Sequence, residues 1–146
     1  MAGIVHIEHQ YDASADAVWA LAKDFDALIQ MSAGSVKYRG LPDTAGLTEG
    51  DVIEFEVSPF GLLPWQPYRV EMLEVDDAAR RFVSLESGAG VKSWRHTLTV
   101  VPEGEGCRQT DHVEIDAGAM TWPTTLAARR MYRRRDIARR RLLGLT

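Results

Sequence analysis

The sequence is poor in cysteine: Cys107 is the only one among 146 residues. A single cysteine excludes an intramolecular disulfide and any metal site built from several thiolates. It is also typical of a reducing compartment, so we expect a cytoplasmic location. No apolar run approaches the roughly 20 residues of a membrane-spanning helix, and the N-terminus lacks the charged-then-apolar order of a signal peptide. We therefore expect a soluble protein.

Familiar catalytic and cofactor motifs are missing as well. The sequence has no glycine-rich phosphate loop, no Gly-x-Ser-x-Gly elbow and no Cys-x-x-Cys pair. His6 and Glu8 near one end, and His112, Glu114 and Asp116 near the other, could imitate a metal site only across two strands. We expect no metal and no cofactor. Because no nucleic-acid-binding motif is present, we expect no nucleic acid partner either.

Charge is distributed unevenly around a net value of −4. Residues 121–146 hold eight arginines and one aspartate, which makes this segment +7 and leaves −11 on the other 120 residues. One interpretation is an acidic body that holds a basic helix. The alternative is attraction of the basic segment to an anionic membrane surface.

Hydrophobic periodicity predicts the elements. Alternation of apolar and polar residues predicts seven strands, at residues 3–11, 36–39, 51–57, 68–75, 81–87, 91–101 and 107–117. Two short helices follow the first strand: Ser14 begins one, and Leu28, Ile29 and Met31 mark the other. A turn region occupies residues 41–50. Six consecutive strands with short turns favour an antiparallel sheet, so we predict one α+β domain over residues 1–146.

The C-terminal segment predicts one long helix over residues 121–145. After Pro123 it contains no glycine or proline until Gly144, and Thr121 can cap its first turn. The expected apolar stripe consists of Ala127, Met131, Ala138, Leu142 and Leu145. A helix with one apolar stripe must pack against something, and the simplest candidate is a curved sheet formed by the preceding strands.

Three features together resemble one known superfamily: the closing basic helix, the segment Asp24-Phe25-Asp26, and the segment Ser14-Ala15-Asp16-Ala17-Val18-Trp19. This is the START-like (SRPBCC) superfamily, which includes the polyketide cyclase/dehydrase and lipid-transfer group and the birch-pollen-allergen-like proteins. The resemblance implies a helix-grip fold. In that fold a seven-stranded antiparallel sheet wraps the C-terminal helix, and two short helices follow strand 1. An apolar cavity lies between sheet and helix, and members bind lipids, steroids, polyketides, aromatic hormones or quinones; some are cyclases or hydrolases.

The last two strands form a hairpin, because residues 102–106 are rich in glycine and begin with proline. A turn centred on Gly104 and Glu105 sets four pairs on one mostly apolar face: Trp94 with Ile115, His96 with Val113, Leu98 with Asp111, and Val100 with Gln109. The opposite face then pairs Arg95 with Glu114, Thr97 with His112, and Thr99 with Thr110, which suits solvent. A slip of one residue would instead turn His112, Glu114 and Asp116 inward.

The mostly apolar face supplies the candidate site. His96 and Asp111 would be diagonal neighbours, and a carboxylate beside an imidazole orients it and stabilises its charged form, as general acid–base catalysis requires. The alternative is a buried pair that only satisfies its own hydrogen bonds. The candidate ligand-lining residues, for which core packing is the alternative, are Tyr38, Phe55, Tyr68, Met72, Trp94, Leu98, Val113 and Met131.

Residues 58–67 form an unusual loop, because loops are usually polar and this one has three prolines and four large apolar side chains. The four are Phe60, Leu62, Leu63 and Trp65. The loop is interpreted as a plug that tucks into the body, as a lid over the cavity mouth, or as a contact with a membrane or a second subunit. The last of these would make a homodimer.

Three functions are compatible with these observations. The first is binding of a small hydrophobic ligand, such as a lipid, a quinone or a polyketide-like molecule, without chemistry. The second is a polyketide or aromatic cyclase or dehydratase in which His96 and Asp111 move protons. The third is docking on an anionic membrane or a partner protein through the arginine-rich helix and the 58–67 loop. We prefer them in this order, and fold analogy carries most of that preference.

Overall fold

A computed structural model describes residues 2–42 and 47–145 of the chain. Its elements, in chain order, are β1 (Gly3–Tyr11), α1 (Ala15–Ala22), α2 (Phe25–Met31), β2 (Val36–Arg39), β3 (Val52–Pro59), β4 (Gln66–Asp76), β5 (Arg81–Gly88), β6 (Val91–Glu103), β7 (Gly106–Asp116) and α3 (Thr121–Leu142). Over the described residues the predicted seven strands and three helices are confirmed, with ends that differ by a few residues. The predicted turn over residues 41–50 includes residues 43–46, which lie outside the described residues.

The strands of the described chain form one antiparallel sheet in the order β1-β7-β6-β5-β4-β3-β2. Strands that follow one another from β2 to β7 pair with each other, and β1 returns to pair with β7. The helices α1 and α2 therefore connect the two edge strands, β1 and β2. The long helix α3 packs against β1, β7 and α2. This is the helix-grip arrangement, and the predicted fold is confirmed.

Side-chain caps begin both short helices. The Ser14 hydroxyl accepts a hydrogen bond from the backbone N–H of Ala17 at 3.1 Å, as its position before α1 predicted. The Asp24 carboxylate caps α2 by accepting from the N–H of Asp26 at 2.8 Å. The buried residues of α1 are Ala15, Val18 and Trp19.

The beginning of α3 differs from the prediction. Thr121 does not cap the helix; its hydroxyl accepts from the Ala117 N–H at 2.9 Å and donates to the Gly118 carbonyl at 2.8 Å. These bonds close the short 3₁₀ turn, Gly118–Met120, that precedes α3. The helix ends at Leu142, and Gly144 follows it with a positive φ of 76°, a conformation that glycine adopts easily.

The predicted apolar stripe of α3 is wrong at Leu142, which is exposed, whereas Ala127 is exposed on the wall of the space beneath the helix. The buried positions are instead Thr125, Ala128, Tyr132 and Arg139. Arg139 can be buried because its long stem packs against the sheet while its guanidinium donates to the Tyr11 hydroxyl at 2.9 Å. The face of α3 toward the sheet therefore changes from small side chains to an aromatic ring and then to arginine.

We call the β1, β6 and β7 part of the groove beneath α3 the closed side. Here Val5, Trp94, Val113, Ile115, Ala128 and Tyr132 pack into one cluster. The backbone of β1 approaches α3 so closely that a side chain at Gly3 would collide with Thr125. Small residues at the contact thus let helix and sheet meet without a gap.

The arginines of α3 reach the rest of the protein through carbonyl and hydroxyl oxygens. Arg129 donates to the Ile4 carbonyl at 3.2 Å, and Arg140 to the Gln10 carbonyl at 2.9 Å. Within residues 2–42 and 47–145, the ion pair formed by these arginines is Arg140 with Asp136, inside the helix itself. The interpretation of an acidic body that holds a basic helix therefore stays a prediction, and the contacts of Arg129 and Arg140 with the body are hydrogen bonds to neutral oxygens.

Candidate functional site

A cavity of about 910 Å³ lies between the concave face of the sheet and α3. We call the part bounded by β2, β3 and β4 the open side, because these strands face α3 across empty space. Of the eight residues predicted to line a cavity, seven are on its wall: Tyr38, Phe55, Tyr68, Met72, Trp94, Leu98 and Met131. Their contact with a ligand remains a prediction. The wall is mostly apolar, and a few polar groups project into the cavity, as in most small-molecule sites.

Val113 is the predicted lining residue that the structure places elsewhere. It is fully buried in the closed-side cluster, together with Ala128 and Tyr132 of α3. The alternation of apolar and polar residues correctly predicted that Val113 is on the inward face of β7. However, α3 covers that part of the face directly. Facing inward and facing the cavity are therefore different properties in this fold.

The predicted register of the last hairpin is confirmed. Trp94 pairs with Ile115 and His96 with Val113, so the mostly apolar face points inward. The alternative register, with His112, Glu114 and Asp116 inward, is wrong. His112 lies on the outer face, where its Nδ1 is 3.0 Å from the Nδ1 of His6.

His96 and Asp111 form a buried pair at the wall of the cavity. The distance between His96 Nε2 and Asp111 Oδ1 is 2.7 Å, and Gln109 Nε2 donates to Asp111 Oδ2 at 2.8 Å. The His96 ring is held edge-on between the rings of Phe82 and Tyr132. The neighbouring strands β6 and β7 thus fix both members of the pair, and Nδ1 of His96 is the ring nitrogen left to act on a ligand.

The environment keeps Asp111 ionised. Burial by itself raises the pKa of a carboxyl group, but the hydrogen bonds from His96 and Gln109 and the charge of Arg139 outweigh it. The pKa of Asp111 is therefore below its usual range. An ionised carboxylate that holds one imidazole nitrogen is the arrangement of a general acid–base pair, and it is equally the arrangement of a self-satisfied buried pair.

Glu86 is a second carboxylate on the cavity wall, and sequence reasoning missed it. The Tyr68 hydroxyl donates to its Oε1 at 2.8 Å, and the Ser84 hydroxyl to its Oε2 at 3.0 Å. Burial, and then the nearby Glu86 charge, raise the pKa of Tyr68, so this hydroxyl stays protonated and keeps donating. The alternation of Phe82, Ser84 and Glu86 along β5 was the signal that could have placed Glu86 inward.

Four arginines of α3 also line the cavity, and sequence reasoning missed them; Arg135 and Arg139 are the two that make hydrogen bonds to tyrosine hydroxyls. Arg139 donates to Tyr11, whose hydroxyl in turn donates to Asp136 Oδ1 at 2.8 Å. Arg135 donates to the Tyr38 hydroxyl at 3.3 Å. Burial lowers the pKa of Arg135, but Tyr38, Tyr132 and nearby carboxylates outweigh this and raise the pKa, so the group stays charged. The missed signal was spacing: Ala128, Tyr132, Arg135 and Arg139 recur at intervals of four, three and four residues.

The apolar loop is shorter than predicted, because β3 continues to Pro59 and β4 begins at Gln66. Phe60 and Leu63 line the cavity, which fits the lid interpretation for these two residues. Leu62 is 88% exposed. Trp65 packs beneath the Arg39 guanidinium, 4.4 Å from it. The predicted four-residue lid is therefore two residues at the cavity and two on the outside.

Backbone geometry holds this loop in a defined shape. Phe60 has a positive φ of 58°, which is strained for a residue with a large side chain. The Ser58 hydroxyl donates to the Leu63 carbonyl at 2.6 Å and closes the loop across its base. Strain of this kind is retained where the surrounding structure dictates it, and here it occurs at a residue of the cavity wall.

Two further properties of the described residues bear on other functions. Among residues 2–42 and 47–145, no group of three or more His, Cys, Asp or Glu side chains is arranged to hold a metal ion. In the same part of the chain, no helix is both long and apolar enough to cross a bilayer.

Comparisons with known proteins agree with this architecture. The sequence of residues 3–144 matches the family described as polyketide cyclase / dehydrase and lipid transport. No protein of curated function matches the chain significantly.

Similar solved structures come from several organisms. Protein CV1439 from Chromobacterium violaceum has a TM-score of 0.76 and 15% identity, covering 98% of this chain and 99% of that one. A START superfamily protein from Mycobacterium smegmatis has a TM-score of 0.68 and 11% identity, covering 97% of each chain. Norcoclaurine synthase from Thalictrum flavum, in complex with dopamine and hydroxybenzaldehyde, has a TM-score of 0.67 and 20% identity, covering 97% of this chain and 86% of that one. At these identities the likeness shows the fold alone.

Proposed function

Since the chain belongs to the polyketide cyclase / dehydrase and lipid transport family of the START-like superfamily, we propose that it binds a small hydrophobic ligand in the cavity between the sheet and α3. The ligand is a lipid, a quinone or a polyketide-like molecule. The observation that carries the proposal is the cavity itself, about 910 Å³ with a mostly apolar wall. That volume is within the range of pockets that enclose small ligands.

The aromatic rings of the cavity wall also support binding. Its wall includes aromatic rings on successive strands, with the centroid of Phe55 5.9 Å from that of Tyr38 and 5.6 Å from that of Tyr68. Apolar surface left unfilled inside a protein forgoes the packing contacts that a ligand would restore. An apolar molecule that enters would therefore be stabilised along the whole open side.

The test is a binding titration with an apolar fluorophore, N-phenyl-1-naphthylamine, on matched variants. Ile53 lines the cavity, whereas its neighbour Val52 is 47% exposed on the opposite face of β3. We expect one saturable site in the wild-type protein. Ile53→Phe should weaken binding by filling the cavity, and Val52→Phe should not.

Equal binding by both variants, or no saturable site in the wild-type protein, would contradict the proposal. Native mass spectrometry of gently purified protein, followed by solvent extraction, then identifies the class of any molecule that stays bound.

A second candidate function is a polyketide or aromatic cyclase or dehydratase, and the 2.7 Å contact between His96 and Asp111 favours it. In this proposal His96 takes a proton from a carbon next to a carbonyl of the ligand and returns it to the departing or newly formed hydroxyl, while Asp111 holds the imidazole. General acid–base catalysis of this kind contributes about 10²–10⁴ in rate. His96→Gln should therefore lower turnover of an extracted ligand by that factor and leave its binding intact. Unchanged turnover would remove His96 from the mechanism.

Docking on an anionic membrane or a partner protein, including a second copy of the chain, stays a prediction. Its support is the exposure of Leu62 and of Trp122, which is 73% exposed near the start of the arginine-rich helix. Co-sedimentation with anionic vesicles at low and high salt tests it, since screening weakens surface electrostatics. The expected cytoplasmic location also stays a prediction.

A further inference from the structure

We propose that Arg135 binds the acidic head group of the ligand, which makes that ligand an apolar carboxylic acid rather than a neutral lipid. The inference rests on the proposed function, because it requires a molecule in the cavity. It deepens that function by naming the chemistry at one end of the ligand and the residue that recognises it.

Arg135 has hydrogen-bond donors to spare. A guanidinium carries five N–H donors. Its Nη2 donates to the Tyr38 hydroxyl at a long 3.3 Å, and its Nη1, which is not fully buried, has no acceptor among the described residues. The guanidinium also lies 5.2 Å from the centre of the Tyr132 ring. The Nη1 donors are therefore available to an acceptor that enters the cavity, and a hydrogen bond that involves a charged group is stronger than one between neutral groups.

The carboxylates of the cavity already have other partners. Glu86 accepts from two hydroxyl groups, and Asp111 accepts from an imidazole and an amide. Within the described part of the chain, neither carboxylate is within 4.0 Å of Arg135. Arg139, one helical turn away, differs because Tyr11 connects it to Asp136. Arg135 thus lines the cavity without a carboxylate partner among the described residues, so it is able to pair with an acidic group of a ligand.

The charge of the cavity wall suits an anion. Five cationic side chains line it: Lys23, Arg130, Arg134, Arg135 and Arg139. Three carboxylates line it: Asp24, Glu86 and Asp111. The wall therefore carries excess positive charge, which attracts an acid and repels an amine.

The local geometry fits a carboxylate. The planar fork of a guanidinium matches the two oxygens of a carboxylate. The Tyr38 hydroxyl accepts from Arg135 and retains its own proton, which it can donate to the same carboxylate or to Ser32 at 3.2 Å. The apolar chain of the ligand would then run along Phe55 and Ile53, on the adjoining strand.

The experiment compares three probes of equal chain length by isothermal titration of the full-length protein: dodecanoic acid, dodecan-1-ol and dodecylamine. Because the three alkyl chains are equally long, they contribute equally to the binding free energy. Differences in affinity between the probes therefore come from their head groups. We expect the acid to bind about ten- to a hundredfold more tightly than the alcohol, because hydrogen bonds to charged groups are strong. The amine should bind most weakly.

Variants assign that preference to Arg135. Arg135→Met should reduce the acid-to-alcohol ratio to near one while the alcohol binds as before. Arg133→Met is the matched control, because Arg133 is exposed and lies off the cavity wall, and it should keep the wild-type ratio. Tyr38→Phe should lower the affinity for the acid several-fold without changing the affinity for the alcohol. If Arg135→Met does not fold, the acid affinity of Tyr38→Phe tests the inference in its place.

Several outcomes would overturn the inference. Equal binding of acid and alcohol by the wild-type protein would overturn it and leave the proposed function standing. Tightest binding of the amine would make Glu86 the head-group partner. An acid preference that survives in Arg135→Met, or an unchanged acid affinity in Tyr38→Phe, would assign recognition elsewhere. Failure of all three probes to bind would overturn the proposed function as well.

Discussion

The two sides of the groove beneath α3 are built from one sheet but are filled differently. On the closed side, Gly3, Thr125 and Ala128 are small enough for α3 to rest directly on β1 and β7. On the open side, the rings of Tyr38 and Phe55 face α3 across a cavity of about 910 Å³. The size of the side chains at the helix–sheet contact thus decides where the fold encloses a core and where it encloses space.

Two charged groups, one near each side, differ in their hydrogen bonds. Asp111, close to the closed side, has both carboxylate oxygens hydrogen-bonded within the protein, by His96 and Gln109. Arg135, which lines the cavity, has an Nη1 without an acceptor in the described chain. A satisfied buried pair contributes to stability, whereas an unsatisfied charged group in a cavity is suited to binding. We expect mutations on the closed side to change stability and mutations on the open side to change affinity.

The largest expected loss of stability is on the closed side, and an isoleucine-to-alanine change at one position on each side tests this. Ile115 is fully buried in the closed-side cluster, and Ile53 is partly exposed on the cavity wall. Ile115→Ala should lower the free energy of unfolding by about 2–5 kcal/mol, because it leaves a cavity in packed surroundings. Ile53→Ala should cost less than about 1 kcal/mol, because that site already borders empty space. Urea unfolding of the two variants measures the difference; equal losses would contradict the distinction between the sides.

The next largest loss of stability is expected at the buried pair of His96 and Asp111. Asp111→Asn should lower the free energy of unfolding at neutral pH by about 2–4 kcal/mol, since it removes the charge that His96 and Gln109 bind. The folded-state pKa of Asp111 is depressed. Its contribution is therefore fully present above the unfolded-state pKa of about 3.9 and is lost as the pH falls through the lower folded-state value.

Urea unfolding at a series of pH values checks this sign. The wild-type protein and Asp111→Asn should differ most above about pH 5 and converge at acidic pH. A difference that grows on acidification would show that the carboxylate is not the stabilising form.

Two adjacent alanines of α3 allow a second comparison of the two sides, with a smaller expected change in stability. Both alanines border the cavity, but Ala128 is buried in the closed-side cluster, whereas Ala127 is exposed. Ala128→Leu should destabilise the protein by about 1–3 kcal/mol through overpacking. Ala127→Leu should leave the thermal midpoint nearly unchanged and reduce the affinity for N-phenyl-1-naphthylamine. Loss of stability in both variants would mean that the helix is packed equally on both sides.

The smallest effect on stability is expected outside both sides, at Leu62. Because Leu62 is 88% exposed, Leu62→Ser should change the free energy of unfolding by no more than about 0.5 kcal/mol. If the loop docks on an anionic membrane, the same substitution should reduce co-sedimentation with anionic vesicles. Leu63→Ser is the matched comparison, because Leu63 lines the cavity and should also alter ligand binding.

Local patterns were enough to predict the elements and the register of the last hairpin. A hairpin turn restricts the pairing of its two strands, so the turn at Gly104 predicted that His96 and Asp111 share the inward face. Alternation could not reveal that Val113, on the same face, lies beneath the helix rather than at the cavity. The apolar stripe predicted for α3 failed because it assumed that arginines face solvent, whereas Arg139 is buried against Tyr11.

Periodicity, turns and short motifs were sufficient to predict the α+β class, the single antiparallel sheet and the superfamily, because neighbouring residues encode them. The tertiary structure decided which inward side chains are packed and which line a cavity. It also decided that Glu86 and Arg135 face the same interior. The physical reason is that such properties depend on how closely α3 approaches each strand, and that distance is set by side chains far apart in the chain, such as Gly3 and Thr125.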